Sequence, residues 1–236
     1  MTIEEKITSY KMSPDTLELI QSTRLLLIAS ITGGGKDTVV REVLKNKEFY
    51  RIVTHTTRQP RSNHGEKEQD GIDYHFVTLQ EAEKLIDDQA FVETKYVHGN
   101  IYGTTAAEFE IANSRKLKAV TDIDVQGVTE YLEVKPDTHA VFLLPPSVDT
   151  WLQRLEKRYG DLERHEDEMS KRFKSAYDEI KHIQADERFV LIINDDLATT
   201  VSRVNGVLDG TVARTSGYAD KVTEHLLDFL GSKIEE

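Results

Sequence analysis

A short apolar run at residues 25–29 is followed by three consecutive glycines, and the spacing of a helix begins at Lys36. A run this short and uniformly apolar is typical of a strand buried on both faces. Further short apolar runs occur at about 51–54, 118–123, 139–144 and 189–193, and segments of helical spacing lie between them. This alternation predicts an α/β fold in which helices flank a parallel sheet, and 236 residues suffice for one such domain.

The glycine segment, Ser30-Ile-Thr-Gly-Gly-Gly-Lys36-Asp37-Thr38, lies between the predicted strand and helix. A phosphate-binding P-loop has the pattern G-x-x-x-x-G-K-[ST] in the same setting, because glycine amides and a helix N-terminus together bind phosphate oxygens. Two positions depart from it, since Ser30 replaces the first glycine and Asp37 replaces the hydroxyl residue. Asp37 either ligates Mg²⁺ or only stabilises the first helical turn. The alternative for the whole segment is a glycine-rich turn with a solvated lysine.

Composition excludes several classes of protein. The 30 Lys and Arg against 42 Asp and Glu give a net charge of −12, which argues against a general binder of nucleic acid or anionic membranes. Cysteine is absent, which excludes disulfides, cysteine-ligated metals and a thiol nucleophile. The first residues are acidic and lack the apolar stretch of a signal peptide, so a cytoplasmic protein is expected.

The strand and helix pattern is interrupted once. Residues 55–105 are polar, with short alternating segments and one helix expected near 79–88, which predicts an inserted, partly antiparallel subdomain.

Residues 158–168 are highly charged without an apolar period, which predicts a mobile loop. An N-terminal arm is expected at 1–23 and a C-terminal helical extension at 209–236.

Seven further segments occur in an order that one family shares. They read THTTRQPR, DGIDYHF, FVE, GNIYGT, DIDVQG, LPPS and NDD, at 54–61, 70–76, 91–93, 99–104, 122–127, 144–147 and 194–196. Together with the glycine loop they resemble the guanylate kinase family of P-loop nucleoside monophosphate kinases, here with a variant P-loop. The resemblance covers residues 24–208, the predicted catalytic domain, and it is far more specific than the glycine loop alone.

The resemblance implies a P-loop NTPase-type parallel sheet, an inserted mixed α/β nucleotide-binding subdomain at about 55–105 and a helical lid at about 154–172. It implies phosphorylation of GMP to GDP by ATP with Mg²⁺, with dGMP as a further acceptor. The implied catalytic residues are Lys36, Arg58, Asp122, Arg154, Arg158 and Arg172. The implied ATP-binding residues are Gly33, Gly34, Gly35, Lys36, Asp37, Thr38 and Asn194. The implied GMP-binding residues are Thr54, Arg58, Arg61, Glu68, Tyr74, Glu93, Tyr102, Thr104 and Asp124. The implied metal ligand is Asp122, and Asp37, which departs from the family pattern, is the second candidate ligand from the chemistry of its carboxylate.

Some alternatives stay open at this point. The acceptor loop is longer than in the family, so Glu66 competes with Glu68 as its glutamate. Each site residue also has a structural alternative, such as a half-buried strand tyrosine or a solvated arginine on a helix face. Ser30 and Asp37 keep open a catalytically impaired binding module, and a different nucleoside monophosphate is a further alternative. The expected partners are small nucleotides, without nucleic acid or membrane, and the expected state is a monomer or homodimer.

Overall fold

The structure is a computed structural model that describes residues 2–63, 66–212 and 214–234. The chain divides into two compact units. The first unit comprises Met1–Arg24 and Glu48–Ala119, and the second comprises Leu25–Lys47 and Val120–Glu236.

The helices and strands follow one another in this order: α1 Ile3–Thr8, α2 Pro14–Ser22, β1 Leu25–Ser30, α3 Lys36–Val43, β2 Phe49–Arg51, β3 His55–Thr56, β4 Ser62–Asn63, β5 Glu66–Lys67, β6 His75–Phe76, α4 Leu79–Asp87, β7 Phe91–Val97, β8 Asn100–Thr105, α5 Ala106–Ser114, β9 Lys118–Asp122, α6 Val125–Val134, β10 His139–Leu144, α7 Val148–Tyr159, a 3₁₀ helix Leu162–His165, α8 Glu166–Ala185, β11 Phe189–Ile193, α9 Leu197–Leu208 and α10 Gly217–Ile234.

A five-stranded sheet has the order β11-β10-β1-β9-β2. Strand β10 runs parallel to both of its neighbours, with Ile28 opposite Val141 and Phe142 opposite Leu191. Residues 25–29 and 140–144 are almost completely buried. Because consecutive strand residues point to opposite faces, their burial means that both faces of the sheet are covered. In α/β proteins, helices cover the two faces of a parallel sheet in this way. The α/β class expected from the alternating pattern is therefore confirmed.

The first unit contains a four-stranded mixed sheet with the order β6-β3-β8-β7. Strands β7 and β8 form an antiparallel hairpin, whereas β3 and β6 are parallel. A small core of Ala82, Ile86, Phe91 and Ile101 lies beside this sheet, and Ile3 from α1 packs against it. The N-terminal segment thus folds onto this unit, and Ser13 caps α2 with Pro14 in its first turn.

The charged segment at 158–168 differs from the prediction. It was predicted as a loop, but α7 continues to Tyr159, a 3₁₀ helix follows, and α8 begins at Glu166. Gly160 ends α7 with a φ of 82°. Glu166, Asp167 and Glu168 then form the first turn of α8, where negative charge is stabilised by the helix dipole. The spacing of apolar residues cannot predict a helix whose first turn consists of acidic residues.

The C-terminal helix α10 packs within the second unit. Its apolar residues Val222, Leu226 and Leu230 are buried, and α10 contacts α8, α7, β10 and β11. Among the described residues, no helix combines the length and the apolar character that a bilayer span requires.

Candidate active site

The glycine loop connects the end of β1 to the start of α3. Gly35 precedes the helix with a φ of 92°, and a Cβ atom on it would collide with the amide of Asn194. The same amide nitrogen of Asn194 donates to the carbonyl of Gly34 at 2.8 Å. Within the part of the chain that the structure describes, no side chain caps α3. The first amides of α3 therefore lack a side-chain acceptor, and a helix N-terminus in this condition attracts anions.

Lys36 bridges two carboxylates at the start of α3. Its Nζ lies 3.2 Å from Asp37 Oδ1 and 3.0 Å from Asp122 Oδ2, which follows from the position of Asp122 at the end of β9. Burial lowers the pKa of Lys36, but Asp122 and Asp37 outweigh burial and leave the pKa raised. Asp37 and Asp122, the two residues predicted as metal ligands, therefore both contact the ammonium group of Lys36.

These two carboxylates also define what kind of metal fits. Among the described residues, no group of three or more histidines and carboxylates is arranged to hold a metal ion. Mg²⁺ is commonly bound by one or two carboxylates together with substrate phosphates, and does not need a cage made only of protein. Asp37 and Asp122 supply that donor set, so the residues present fit Mg²⁺ bound with a nucleotide.

Arg154 on α7 reaches the same loop. Its Nη2 donates to the carbonyl oxygen of Asn194 at 2.8 Å, while its Nη1 is buried without a hydrogen-bond partner among the described residues. Burial lowers the pKa of Arg154, and Asp195 only partly offsets that effect. Nη1 lies 3.9 Å from the position that a Cβ atom on Gly35 would occupy. A buried guanidinium nitrogen beside a glycine loop is suited to an anionic ligand.

Arg158 and Arg172 share one aromatic ring, which the sequence analysis missed. Their guanidinium carbons lie 5.4 and 4.6 Å from the ring centroid of Tyr159. Arg172 also pairs with Glu168 at 2.6 Å. The family resemblance assigned both arginines to the lid, but no pattern indicated that Tyr159 contacts both.

Arg58 in the first unit is held by the partly buried carboxylate of Glu68. Its two terminal nitrogens donate to Glu68 at 2.9 and 3.0 Å, and the backbone N–H of Arg61 donates to Glu68 at 2.7 Å. Burial raises the pKa of Glu68, but the hydrogen bonds from Arg58 and Arg61 outweigh burial and leave the pKa lowered. Glu68 is therefore the carboxylate on Arg58, whereas the side chain of Glu66, its sequence alternative, lies outside the described residues.

The two predicted tyrosines lie beside Arg58. The guanidinium carbon of Arg58 is 5.2 Å from the ring centroid of Tyr74, and the rings of Tyr74 and Tyr102 meet edge to face at 6.1 Å. Each tyrosine presents an aromatic ring and a hydroxyl near a cation. This cluster has the hydrogen-bond donors that a phosphate group requires.

Glu93 begins a short chain of polar side chains across the first-unit sheet. Thr104 Oγ1 donates to Glu93 Oε1 at 2.9 Å, and the hydroxyls of Thr104 and Thr54 are 3.4 Å apart. Residues Glu93 and Thr104 are cross-strand partners next to a β-bulge in β7. The bulge re-aims the side chain of Glu93, as bulges near functional sites commonly do.

Two predicted residues have clear structural roles. Asp124 caps α6 and accepts the N–H of Gly127 at 2.7 Å. Thr38 lies in the first turn of α3. Trp151, which the sequence analysis missed, lies beside the glycine loop and donates from Nε1 to the carbonyl of Thr32 at 2.7 Å.

A buried carboxyl on α8 was also missed. Glu179 accepts a hydrogen bond from Ser175 Oγ at 3.0 Å, while its Oε2 is buried without a hydrogen-bond partner among the described residues. Burial raises the pKa of Glu179 to about 7, with a smaller contribution from Asp124. The sequence could have indicated its burial only through its spacing, since Glu179 lies three residues after Ala176 and four before Ile183, both on the buried face of the helix.

Comparison with known proteins places these features in one family. The guanylate kinase family model matches residues 22–211. The chain is 31% identical to the guanylate kinase of Clostridium acetobutylicum, over 90% of this chain and 95% of that protein. It is 32% identical to the guanylate kinase of Schizosaccharomyces pombe, over 87% of this chain and 95% of that protein.

A solved structure agrees with the sequence comparisons. The crystal structure of guanylate kinase from Anaplasma phagocytophilum aligns with a TM-score of 0.58 and 25% identity, over 84% of this chain and 89% of that one. The chain therefore belongs to the guanylate kinase family and is a nucleoside monophosphate kinase, a phosphotransferase.

Proposed function

We propose that this chain transfers the γ-phosphoryl group of ATP to GMP, with dGMP as a further acceptor. The observation that carries the proposal is Lys36, held between Asp37 and Asp122 at the uncapped start of α3. Phosphoryl transfer depends on positioning and charge neutralisation more than on covalent chemistry, and this cluster offers both. The chain's relatives in Clostridium acetobutylicum and Bartonella quintana are named guanylate kinases.

The donor nucleotide is assigned to the second unit. The amides of Gly33, Gly34 and Gly35 and the ammonium group of Lys36 bind its phosphates, and Thr38 and Asn194 support the loop. The lid arginines supply positive charge to the transferring phosphoryl group, with the buried Nη1 of Arg154 aimed at an anion. These arginines are Arg154, Arg158 and Arg172.

The proposed Mg²⁺ would be held by Asp37 and Asp122 together with phosphate oxygens. When bound, it would neutralise charge on those oxygens. Lys36 then separates from at least one of its two carboxylates and turns its donors to the nucleotide.

The acceptor is assigned to the first unit. Arg58, Arg61, Tyr74 and Tyr102 bind the phosphate of GMP, since arginine forks and tyrosine hydroxyls donate to phosphate oxygens. Glu68 holds Arg58 in place for this contact.

Guanine specificity is assigned to Glu93. Its carboxylate accepts from N1–H and the exocyclic amine of guanine, a pair of donors that adenine does not present on that edge. Thr54 and Thr104 add hydroxyl contacts. The role of Asp124 in acceptor binding is proposed from the family resemblance alone. The cytoplasmic location, the monomer or homodimer and the absence of nucleic-acid or membrane partners stay predictions of the sequence, as does the division into residues 1–23, 24–208 and 209–236.

The experiment is a coupled ADP-release assay with ATP, Mg²⁺ and a panel of nucleoside monophosphates. We expect turnover with GMP and dGMP and little with AMP, CMP or UMP. Lys36→Met should lower turnover at least about 100-fold, because it removes a donor that acts on the transferring phosphate. Lys45→Met is the matched control, since Lys45 is 69% exposed and pairs with Glu42, its neighbour on the same stretch of chain.

The outcomes are distinct. Turnover with another acceptor would contradict the role of Glu93 and keep the phosphoryl transfer. A folded wild-type protein that binds GMP without turnover would contradict the kinase proposal and favour a binding module, with Ser30 and Asp37 as the first residues to revert.

A further inference from the structure

Glu108 on α5 is a charged residue with only 5% of its surface exposed. Its Oε2 accepts the backbone N–H of Val53 at 2.9 Å and the hydroxyl of Tyr50 at 3.2 Å. Its Oε1 lies 3.0 Å from His75 Nε2, which donates to the carboxylate. A buried carboxylate is costly unless several donors satisfy it, and here three donors from separate segments do so. The reaction proposed above does not use Glu108, so the question is what this cluster holds in place.

The cluster lies against one face of the mixed sheet. His55 on β3 is opposite His75 on β6, and their rings are 4.6 Å apart. Side chains alternate between the faces of a strand, so Thr56 and Phe76, which form the next pair, lie on the other face. Thr56 is in turn opposite Tyr102 on β8.

Two of the three residues that Glu108 holds, His75 and Val53, are one position from an acceptor residue. His75 directly follows Tyr74, whose ring packs against Phe76 and Tyr102 on the other face of the sheet. Val53 directly precedes Thr54, whose hydroxyl meets that of Thr104. A shift of His75 or Val53 therefore moves Tyr74 or Thr54.

We propose that Glu108 is a positioning residue for acceptor binding: by holding Val53 and His75 from the rear face of the sheet, it fixes Thr54 and Tyr74 for the acceptor nucleotide. This inference rests on the proposed function, because it takes these two residues as acceptor ligands. Glu108 touches neither nucleotide in this scheme. Its loss weakens acceptor binding and leaves donor binding and the transfer step unchanged.

The first test is Glu108→Gln, which keeps the size of the side chain but turns one acceptor oxygen into a donor. That amide cannot accept from all three groups. We expect the KM for GMP to rise about tenfold, with the KM for ATP and kcat within about twofold of wild type. Glu110→Gln is the matched control, because Glu110 lies on the same helix but is exposed. Thermal melting accompanies each variant.

A second pair of variants acts from the other side of the contact. His75→Phe removes the donor to Glu108, whereas His75→Gln places an amide N–H where the imidazole Nε2–H was. We expect His75→Phe to raise the KM for GMP and His75→Gln to restore it towards wild type. This pair decides the question if Glu108→Gln does not fold.

The inference is overturned if Glu108→Gln lowers kcat, or raises the KM for ATP as much as the KM for GMP, since a positioning role confined to the acceptor changes the KM for GMP alone. It is also overturned if the KM for GMP is unchanged, or if His75→Phe and His75→Gln behave alike. A wild-type protein that turns over another acceptor contradicts the proposed function instead, and the same KM comparison is then made with that acceptor.

Discussion

Asp37 is the residue at which this chain departs most from other P-loops, which carry a hydroxyl there. Its carboxylate is 64% exposed and pairs with Lys36 at 3.2 Å. If Asp37 ligates Mg²⁺, Asp37→Ala should raise the Mg²⁺ concentration for half-maximal activity about tenfold, the effect of losing about 1.4 kcal/mol of binding free energy. The measurement is a Mg²⁺ titration of GMP-dependent ADP release at saturating nucleotide.

The matched variant is Asp37→Thr, which places the P-loop hydroxyl at this position and should keep most of the Mg²⁺ affinity. An unchanged Mg²⁺ requirement in Asp37→Ala would contradict the metal role. Asp37 would then act only on the first turn of α3, where a negative charge contributes about 0.3–1 kcal/mol to stability.

The spatial neighbours of some residues could be predicted from the sequence, and those of others could not. Lys36 and Asp122 were predictable as neighbours, because both follow strands whose carboxyl ends meet at one edge of a parallel sheet. Tyr159 and Glu108 were not, because their roles depend on partners far along the chain or on a stacking geometry that no local pattern encodes.

At the scale of the element, α7 depends on its first turn. Ser147 caps this helix by accepting the N–H of Thr150 at 3.1 Å, and the helix carries Arg154. Ser147→Ala should lower the free energy of unfolding by about 1 kcal/mol, since it leaves a helix N–H without its acceptor. Ser147→Asp retains an acceptor and should stay within about 0.3 kcal/mol of wild type. Urea unfolding of both variants measures the difference, and equal losses would contradict the capping role.

Elements bounded by apolar periodicity were predicted closely, and those bounded by charge were not. Strands β10 and β11 have the predicted bounds, because each is an apolar stretch that ends at a turn or cap residue. Strand β2 is the exception, since it is Phe49–Arg51 and not the predicted 51–54. Helix α8 begins at Glu166, within the segment predicted as a loop, because three acidic residues form its first turn.

At the scale of the whole molecule, a net charge of −12 is compatible with anionic substrates. The Debye length is about 8 Å at physiological ionic strength, so exposed acidic residues are screened beyond that distance. Lys36 and Arg154 are both partly buried around the glycine loop, where screening is weaker. Local charge therefore sets phosphate affinity, and the overall charge excludes only polyanions that need a broad basic surface.

Glu179 couples the stability of the second unit to pH. Its pKa is raised by burial from an ordinary value of 4.5 to about 7, so the folded protein holds a proton that the unfolded chain releases at lower pH. The contribution of Glu179 to stability is therefore fully present below about pH 4.5 and is lost as pH rises through about 7. The loss amounts to up to about 3 kcal/mol.

Glu179→Gln should remove this dependence, because a neutral amide can occupy the site and accept from Ser175 at every pH. We expect the variant to match wild type within about 0.5 kcal/mol at pH 5 and to be about 1–3 kcal/mol more stable at pH 8. Urea unfolding followed by the fluorescence of Trp151 reports this, since Trp151 is the one tryptophan of the chain and lies in the same unit. Glu187→Gln, at an exposed site, is the control. If wild type and Glu179→Gln lose stability in parallel between pH 5 and pH 8, Glu179 is ionised throughout that range and another group carries the proton.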